Sequence, residues 1–142
     1  MNKERVVLGV LIVAGLAAVA ATAATEPVIK AGSDLKWVAV PLVHGAKSAV
    51  LWGDPKTTAY GAFKKIPGGG NLAMHTHTND QKTILITGTI VLEIQGQPAK
   101  ELTAPSYAFI PAGIPHKANC KAGAECLYFE EQPGPSDMKP VK

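Results

Sequence analysis

After its first 23 residues this chain sustains no helical hydrophobic period over ten residues, and its apolar runs are short and cut by glycine and proline. Gly53-Asp54-Pro55, Pro67-Gly68-Gly69-Gly70, Thr87-Gly88-Thr89, Gln95-Gly96-Gln97-Pro98 and Pro111-Ala112-Gly113 are the breaks. Between them the pattern predicts strands over residues 35–43, 48–52, 58–66, 72–77, 82–87, 89–95, 107–110, 116–120 and 126–131. The fold class is therefore all-β. So many strands at such close spacing specify a sandwich or a double-sheet barrel, because either arrangement shields edges that would otherwise pair between molecules.

The N-terminus is built differently. Lys3 and Arg5 precede an uncharged apolar stretch over residues 6–20 that ends in Ala21-Thr22-Ala23, the layout of a secretory signal peptide with cleavage expected after Ala23. The other reading is an uncleaved anchor, but roughly 15 apolar residues fall short of the ~20 that span a bilayer. The expected organisation is a signal peptide over residues 1–23, one β-barrel domain over 24–132, and a loose tail over 133–142 rich in proline and polar residues. A periplasmic or secreted protein with no stable membrane anchor after cleavage follows from this reading.

Export bears on charge and on cysteine. Cleavage removes Lys3, Arg5 and Glu4, which lowers the formal charge of +3 by one, and no arginine follows Arg5. The remaining lysines are scattered, so the clustered cations of a nucleic-acid footprint are missing. An oxidising compartment permits a disulfide between Cys120 and Cys126, which flank a five-residue turn. Two buried thiols are the alternative.

Three of the four histidines fall where strand geometry makes a prediction. His75 and His77 are two apart, so on a strand both project from one face with Thr76 turned away. His116 follows the rigid Pro111-Ala112-Gly113-Ile114-Pro115 turn and starts a new strand that closes the group from the side. Neutral imidazoles suit one divalent ion of Fe, Zn, Mn, Cu or Ni, and three of them leave positions open to water or substrate. An H-x-H taken alone is more often an exposed polar strand than a metal site.

The surrounding spacing adds to this. Gly69-x5-His75-x-His77-x3-Gln81-x6-Gly88 resembles the first motif of the cupin superfamily, with glutamine where that motif has glutamate. Pro105-x5-Pro111-x-Gly113-x2-His116-x3-Cys120 resembles the second motif, with proline at its first position and cysteine at its last. The phrase Ala49-Val50-Leu51-Trp52-Gly53-Asp54-Pro55 is similar to one group of small, mostly uncharacterised bacterial cupins. The resemblance implies a double-stranded β-helix, or jelly-roll barrel, and a homodimer. It implies that His75, His77 and His116 are metal ligands and that Gln81 stands at the position of the fourth. An amide oxygen can coordinate but carries no charge, so the ion would keep more of its own and bind hard cations less tightly. In the alternative reading Gln81 only holds a water.

Other residues enter by position. Asp80 is a rival ligand if the turn after His77 redirects it. Thr83 and Leu85, two and four residues beyond Gln81, share its inward face if alternation holds and are the substrate-pocket candidates. His44 lies outside both motifs and is expected on the surface. Tyr60, Phe63, Tyr107, Phe109 and Phe129 read as core aromatics. Near the ligands only Asp80, Lys82 and Lys117 ionise among the motif positions. Two functions are compatible with this set: a metal-dependent oxygenase, isomerase or lyase acting on a small oxygen-bearing molecule, or a non-catalytic envelope protein that binds or senses metal or a small ligand.

Overall fold

The structure, a computed structural model, describes residues 26–141; the expected signal peptide at residues 1–23 lies outside them. Apart from one 3₁₀ turn at Gly32–Asp34, the regular elements among the described residues are strands. They are β1 (Val38–Ala39), β2 (Lys47–Gly53), β3 (Tyr60–Ile66), β4 (Asn71–Thr76), β5 (Gln81–Thr87), β6 (Thr89–Ile94), β7 (Lys100–Thr103), β8 (Ser106–Ile110), β9 (His116–Cys120), β10 (Cys126–Gln132) and β11 (Lys139–Pro140). Two antiparallel sheets result, ordered β1-β2-β3-β10-β5-β8 and β11-β4-β9-β6-β7. From β3 onward the chain passes back and forth between them, the arrangement of a jelly roll. No helix among the described residues is long and apolar enough to cross a membrane.

Inward residues of both sheets meet in one apolar layer. Ile66, Leu85, Cys126 and Tyr128 come from the six-stranded sheet, and Ile90 and Cys120 from the five-stranded one. Burying Ile66 or Leu85 stabilises by roughly 1.5–3 kcal/mol each. Cys120 and Cys126 are joined by a disulfide across the turn between β9 and β10, so they link the two sheets and no thiol faces a pocket.

The structure departs from the expected strands at three places. The run over 35–43 pairs only through Val38 and Ala39, because Pro41 offers no donor and the chain turns back on itself. Val43 N donates to Val40 O (3.2 Å), and Ala46 N to Val43 O (3.0 Å). Strand β7, Lys-Glu-Leu-Thr, gave no signal since only Leu102 is even half-buried; it forms because Ile90 opposite Leu102 offers a partner. The tail expected to be loose lies against the barrel. Lys139 and Pro140 pair with Thr76 and His75, Ser136 N donates to Pro55 O (2.8 Å), and Asn79 Nδ2 donates to Pro135 O (2.8 Å). Polar composition does not prevent docking where the backbone finds an open sheet edge.

The aromatic residues also divide. Tyr60 is 1% exposed, but Tyr107 and Phe109 stand out from the edge strand β8 at 61% and 49% exposure and do not belong to the core. They alternate with Ser106, Ala108 and Ile110, which take the inward positions. Phe63 and Phe129 meet edge to face at 6.2 Å, half-buried.

Candidate metal site

Strands β4 and β9 place His75 directly opposite His116, in a register that also sets His116 against Ile94. Directly opposed residues share a face, so the two rings meet with centroids 4.3 Å apart. His77, one residue past the end of β4, keeps the same face by two-residue alternation and lies 4.9 Å from His75 and 5.3 Å from His116, ring to ring. All three are buried, and one ring nitrogen from each falls within 4.8 Å of the others.

Each ring is turned by a backbone carbonyl. The Nδ1–H of His75 donates to Ala73 O at 2.6 Å, that of His116 to Ile114 O at 2.9 Å, and that of His77 to Asp137 O. A carbonyl can only accept, so these bonds put the proton on Nδ1 and leave Nε2 as a lone pair in each neutral ring. Burial lowers the pKa of His75 to about 4, against the opposing pull of the Ala73 carbonyl and with the help of His116 and His77; burial lowers that of His116 too. The Nε2 atoms of His75 and His77 then face each other at 3.2 Å. Two acceptors that close repel unless a cation stands between them. The donor set therefore fits a divalent ion, with second-sphere carbonyls orienting the imidazoles as metal-ligating histidines require.

The C-terminal segment is part of this arrangement. Besides turning His77, Asp137 accepts from the Thr78 backbone N–H (2.8 Å) and the Thr78 hydroxyl, so its carboxylate anchors the loop that follows β4. Its only trace in the sequence is an acidic residue in a proline-rich stretch.

Gln81 begins β5 in the opposite sheet and is 9% exposed. Its Nε2 donates to Glu130 Oε2 at 2.6 Å. Glu130, 1% exposed, also receives the Tyr60 hydroxyl and the Lys64 ammonium at Oε1 (2.5 Å each) and the Gln132 amide at 3.3 Å. Burial pushes the Glu130 carboxyl up, but Lys64, Tyr60 and Gln81 outweigh it and hold the group ionised, below its ordinary pKa. Burial and the neighbouring Glu130 charge push the Tyr60 phenol well up. The motif positions carry Asp80, Lys82 and Lys117 as their ionisable groups besides the histidines; Glu130 and Lys64 lie outside both motifs. Lys82 and Lys117 pair outward with Glu131 (3.1 Å) and Glu93 (2.9 Å), while Glu130 pairs with Lys64 at 2.5 Å. The missed signal was alternation: Cys126, Tyr128, Glu130 and Gln132 share the buried face of β10.

Asp80 does not join the histidines. Its Oδ1 accepts the Ala112 N–H at 2.8 Å and so clamps the turn leading to His116. His44 is exposed and apart from the cluster. Thr83 and Leu85 line a cavity of about 50 Å³ together with Gln81, Ser106 and His116; aliphatic side chains form the rest of its wall.

Comparison with known proteins agrees on the architecture. The structure is similar to the polyketide cyclase RemF from Streptomyces resistomycificus, at 20% identity and a TM-score of 0.67, over 84% of this chain and 87% of that one. An RmlC-like cupin from Shewanella frigidimarina NCIMB 400 is similar at 20% identity and a TM-score of 0.62, over 76% and 92%. A putative acetylacetone dioxygenase from Methylibium petroleiphilum PM1 is similar at 19% identity and a TM-score of 0.64, over 85% of each. A search of curated proteins finds no match. With a two-sheet barrel shared by cupins, and with residues 20–130 matching the family described as a domain of unknown function, DUF4437, the chain belongs to that family and has the cupin fold.

Proposed function

We propose that this chain is an exported metal-dependent enzyme that acts on a small oxygen-bearing organic molecule by oxygenase, isomerase or lyase chemistry. The observation that carries this reading is the convergence of three buried imidazoles, each with Nδ1 tied back to a carbonyl and Nε2 left as a donor. One bound divalent ion would supply Lewis acidity and open coordination positions there. The names of similar structures, a polyketide cyclase and a putative acetylacetone dioxygenase, support an enzymatic site on this fold. Thr83 and Ser106 offer hydroxyls to orient a substrate, and the aliphatic wall around them excludes water. A cavity of about 50 Å³ is far below the ~300–1,000 Å³ of drug-sized pockets, so the substrate or its reacting part has only a few heavy atoms.

The test is turnover by protein recovered from the envelope fraction, loaded with its own metal, on a panel of small diketones, hydroxy acids and enolisable ketones. Product from at least one of them is expected, with a redox-active ion directing the search to oxygen consumption and zinc or manganese to isomerisation or bond cleavage. Stoichiometric metal with saturable binding and no product would transfer the site to the second reading, an envelope protein that holds a ligand without changing it. The mostly apolar lining of the cavity favours that reading. Mature protein beginning at residue 24 is expected from the same preparation, and a disulfide between Cys120 and Cys126 is in keeping with export.

A second copy of the chain is the proposed macromolecular partner. Ile84 (47% exposed), Ile86 (41%), Tyr107 (61%) and Phe109 (49%) form an apolar patch on the outer face of β5 and β8 at the end of a sheet. Light scattering is expected to give a dimer, converted to monomer by Ile84→Lys with Tyr107→Lys while metal content is retained. A monomeric wild type would sink this.

A further inference from the structure

The first cupin-like motif has Gln81 where a carboxylate is expected, yet a carboxylate is present one strand away. We propose that Glu130 is the positioning residue of the three-histidine site, holding the Gln81 amide so that its oxygen faces the ligand space. The proposal rests on the metal reading above and extends it to a residue outside both motifs.

Three observations support it. Glu130 is the one buried acidic side chain among the described residues, and it lies on the inward face of β10 opposite Thr83, which lines the cavity with Gln81 and His116. Its bond to Gln81 runs from the amide Nε2 to Oε2 at 2.6 Å, while the Lys64 ammonium and the Tyr60 hydroxyl occupy Oε1. An amide carries its oxygen on the other side of the same carbon, so Oε1 is turned away from Glu130, and Gln81 lines the same cavity as His116. Finally, Glu130 is itself fixed from behind. Tyr60 and Lys64 flank Ala62, which pairs with Glu130 across β3 and β10, and both reach Oε1, leaving Oε2 to Gln81. One oxygen is thus tied to the framework and the other to the site.

The test measures Zn²⁺ affinity by competition with a chromophoric chelator and the visible absorption of the Co²⁺-substituted full-length mature protein. Glu130→Gln removes the charge and lets the amide turn over. It is expected to weaken Zn²⁺ binding about 10- to 100-fold, as loss of an outer-sphere partner does, and to shift the Co²⁺ bands. Combining Glu130→Gln with Gln81→Glu rebuilds the amide–carboxylate pair in the reverse direction and is expected to recover affinity. If Glu130→Gln is unfolded by circular dichroism, Lys64→Met with Glu130→Gln removes both charges of the pair and is read in the same way. Wild type that takes up no Zn²⁺ overturns the metal reading itself. Wild type that binds, with a folded Glu130→Gln protein of equal affinity and unchanged Co²⁺ bands, overturns only the role of Glu130. A reversed pair that recovers nothing assigns the loss to packing and overturns it as well.

Discussion

Replacing His75 and His116 together by alanine is expected to take the bound metal from about one equivalent to nearly none, measured by elemental analysis of protein purified without added metal or affinity chelators. These two are the directly opposed pair of β4 and β9, so their loss leaves one imidazole of the three, His77, just past the end of β4. Outer-sphere partners are worth about 10- to 100-fold in affinity, and two direct ligands together should exceed that range. The variant also leaves the carbonyls of Ala73 and Ile114 without their imidazole donors, which costs about 1–3 kcal/mol for each if it stays buried. Melting curves with and without Zn²⁺ separate the two effects. Zinc at a hundred times its dissociation constant should stabilise the wild type by about 2.7 kcal/mol and the double variant not at all. Equal metal content in the two proteins would show that the ion, if present, sits elsewhere.

That His75, His77 and His116 belong together was legible because a two-residue period and a rigid proline turn are local properties. They determine which face a side chain takes before any tertiary contact forms. Strands β2 to β6, β9 and β10 were legible for the same reason, with glycine and proline marking their ends to within a residue or two. What the sequence concealed depended on partners distant along the chain. β7 is polar and exists because β6 pairs with it, and β11 lies in a segment of weak strand propensity that uses a free edge of β4. Glu130 was concealed by its charge. A glutamate near the end of a strand ordinarily faces solvent, and this one is buried because Tyr60, Lys64 and Gln81 come from β3 and β5 to satisfy it, 49 to 70 residues away along the chain for Tyr60 and Gln81. Asp137 follows the same rule, since its carbonyl acquires a role only after the tail has docked.

The glycines that bracket the first motif should respond unequally to substitution, although both have positive φ. Gly69 has φ +82° and open space where a Cβ would stand, so Gly69→Ala bears only the strain of a left-handed residue, roughly 1–2 kcal/mol. Gly88, at φ +84°, is the hinge between β5 in one sheet and β6 in the other. A Cβ there would lie 2.9 Å from Cys126 Sγ, 2.9 Å from Glu125 O and 3.0 Å from Cys126 Cα. Those atoms have little freedom to yield, because two are backbone and the third is tied through the disulfide to Cys120 on the facing sheet. Overpacking of this kind adds about 1–3 kcal/mol to the conformational strain, for a total of roughly 3–4 kcal/mol. For a domain of this size that corresponds to a fall in Tm of roughly 10–15 °C for Gly88→Ala against about 5 °C for Gly69→Ala. Thermal denaturation followed by circular dichroism measures both. Equal losses would mean that backbone conformation alone decides these positions, and that β5 and β6 can separate from the β10 turn without cost.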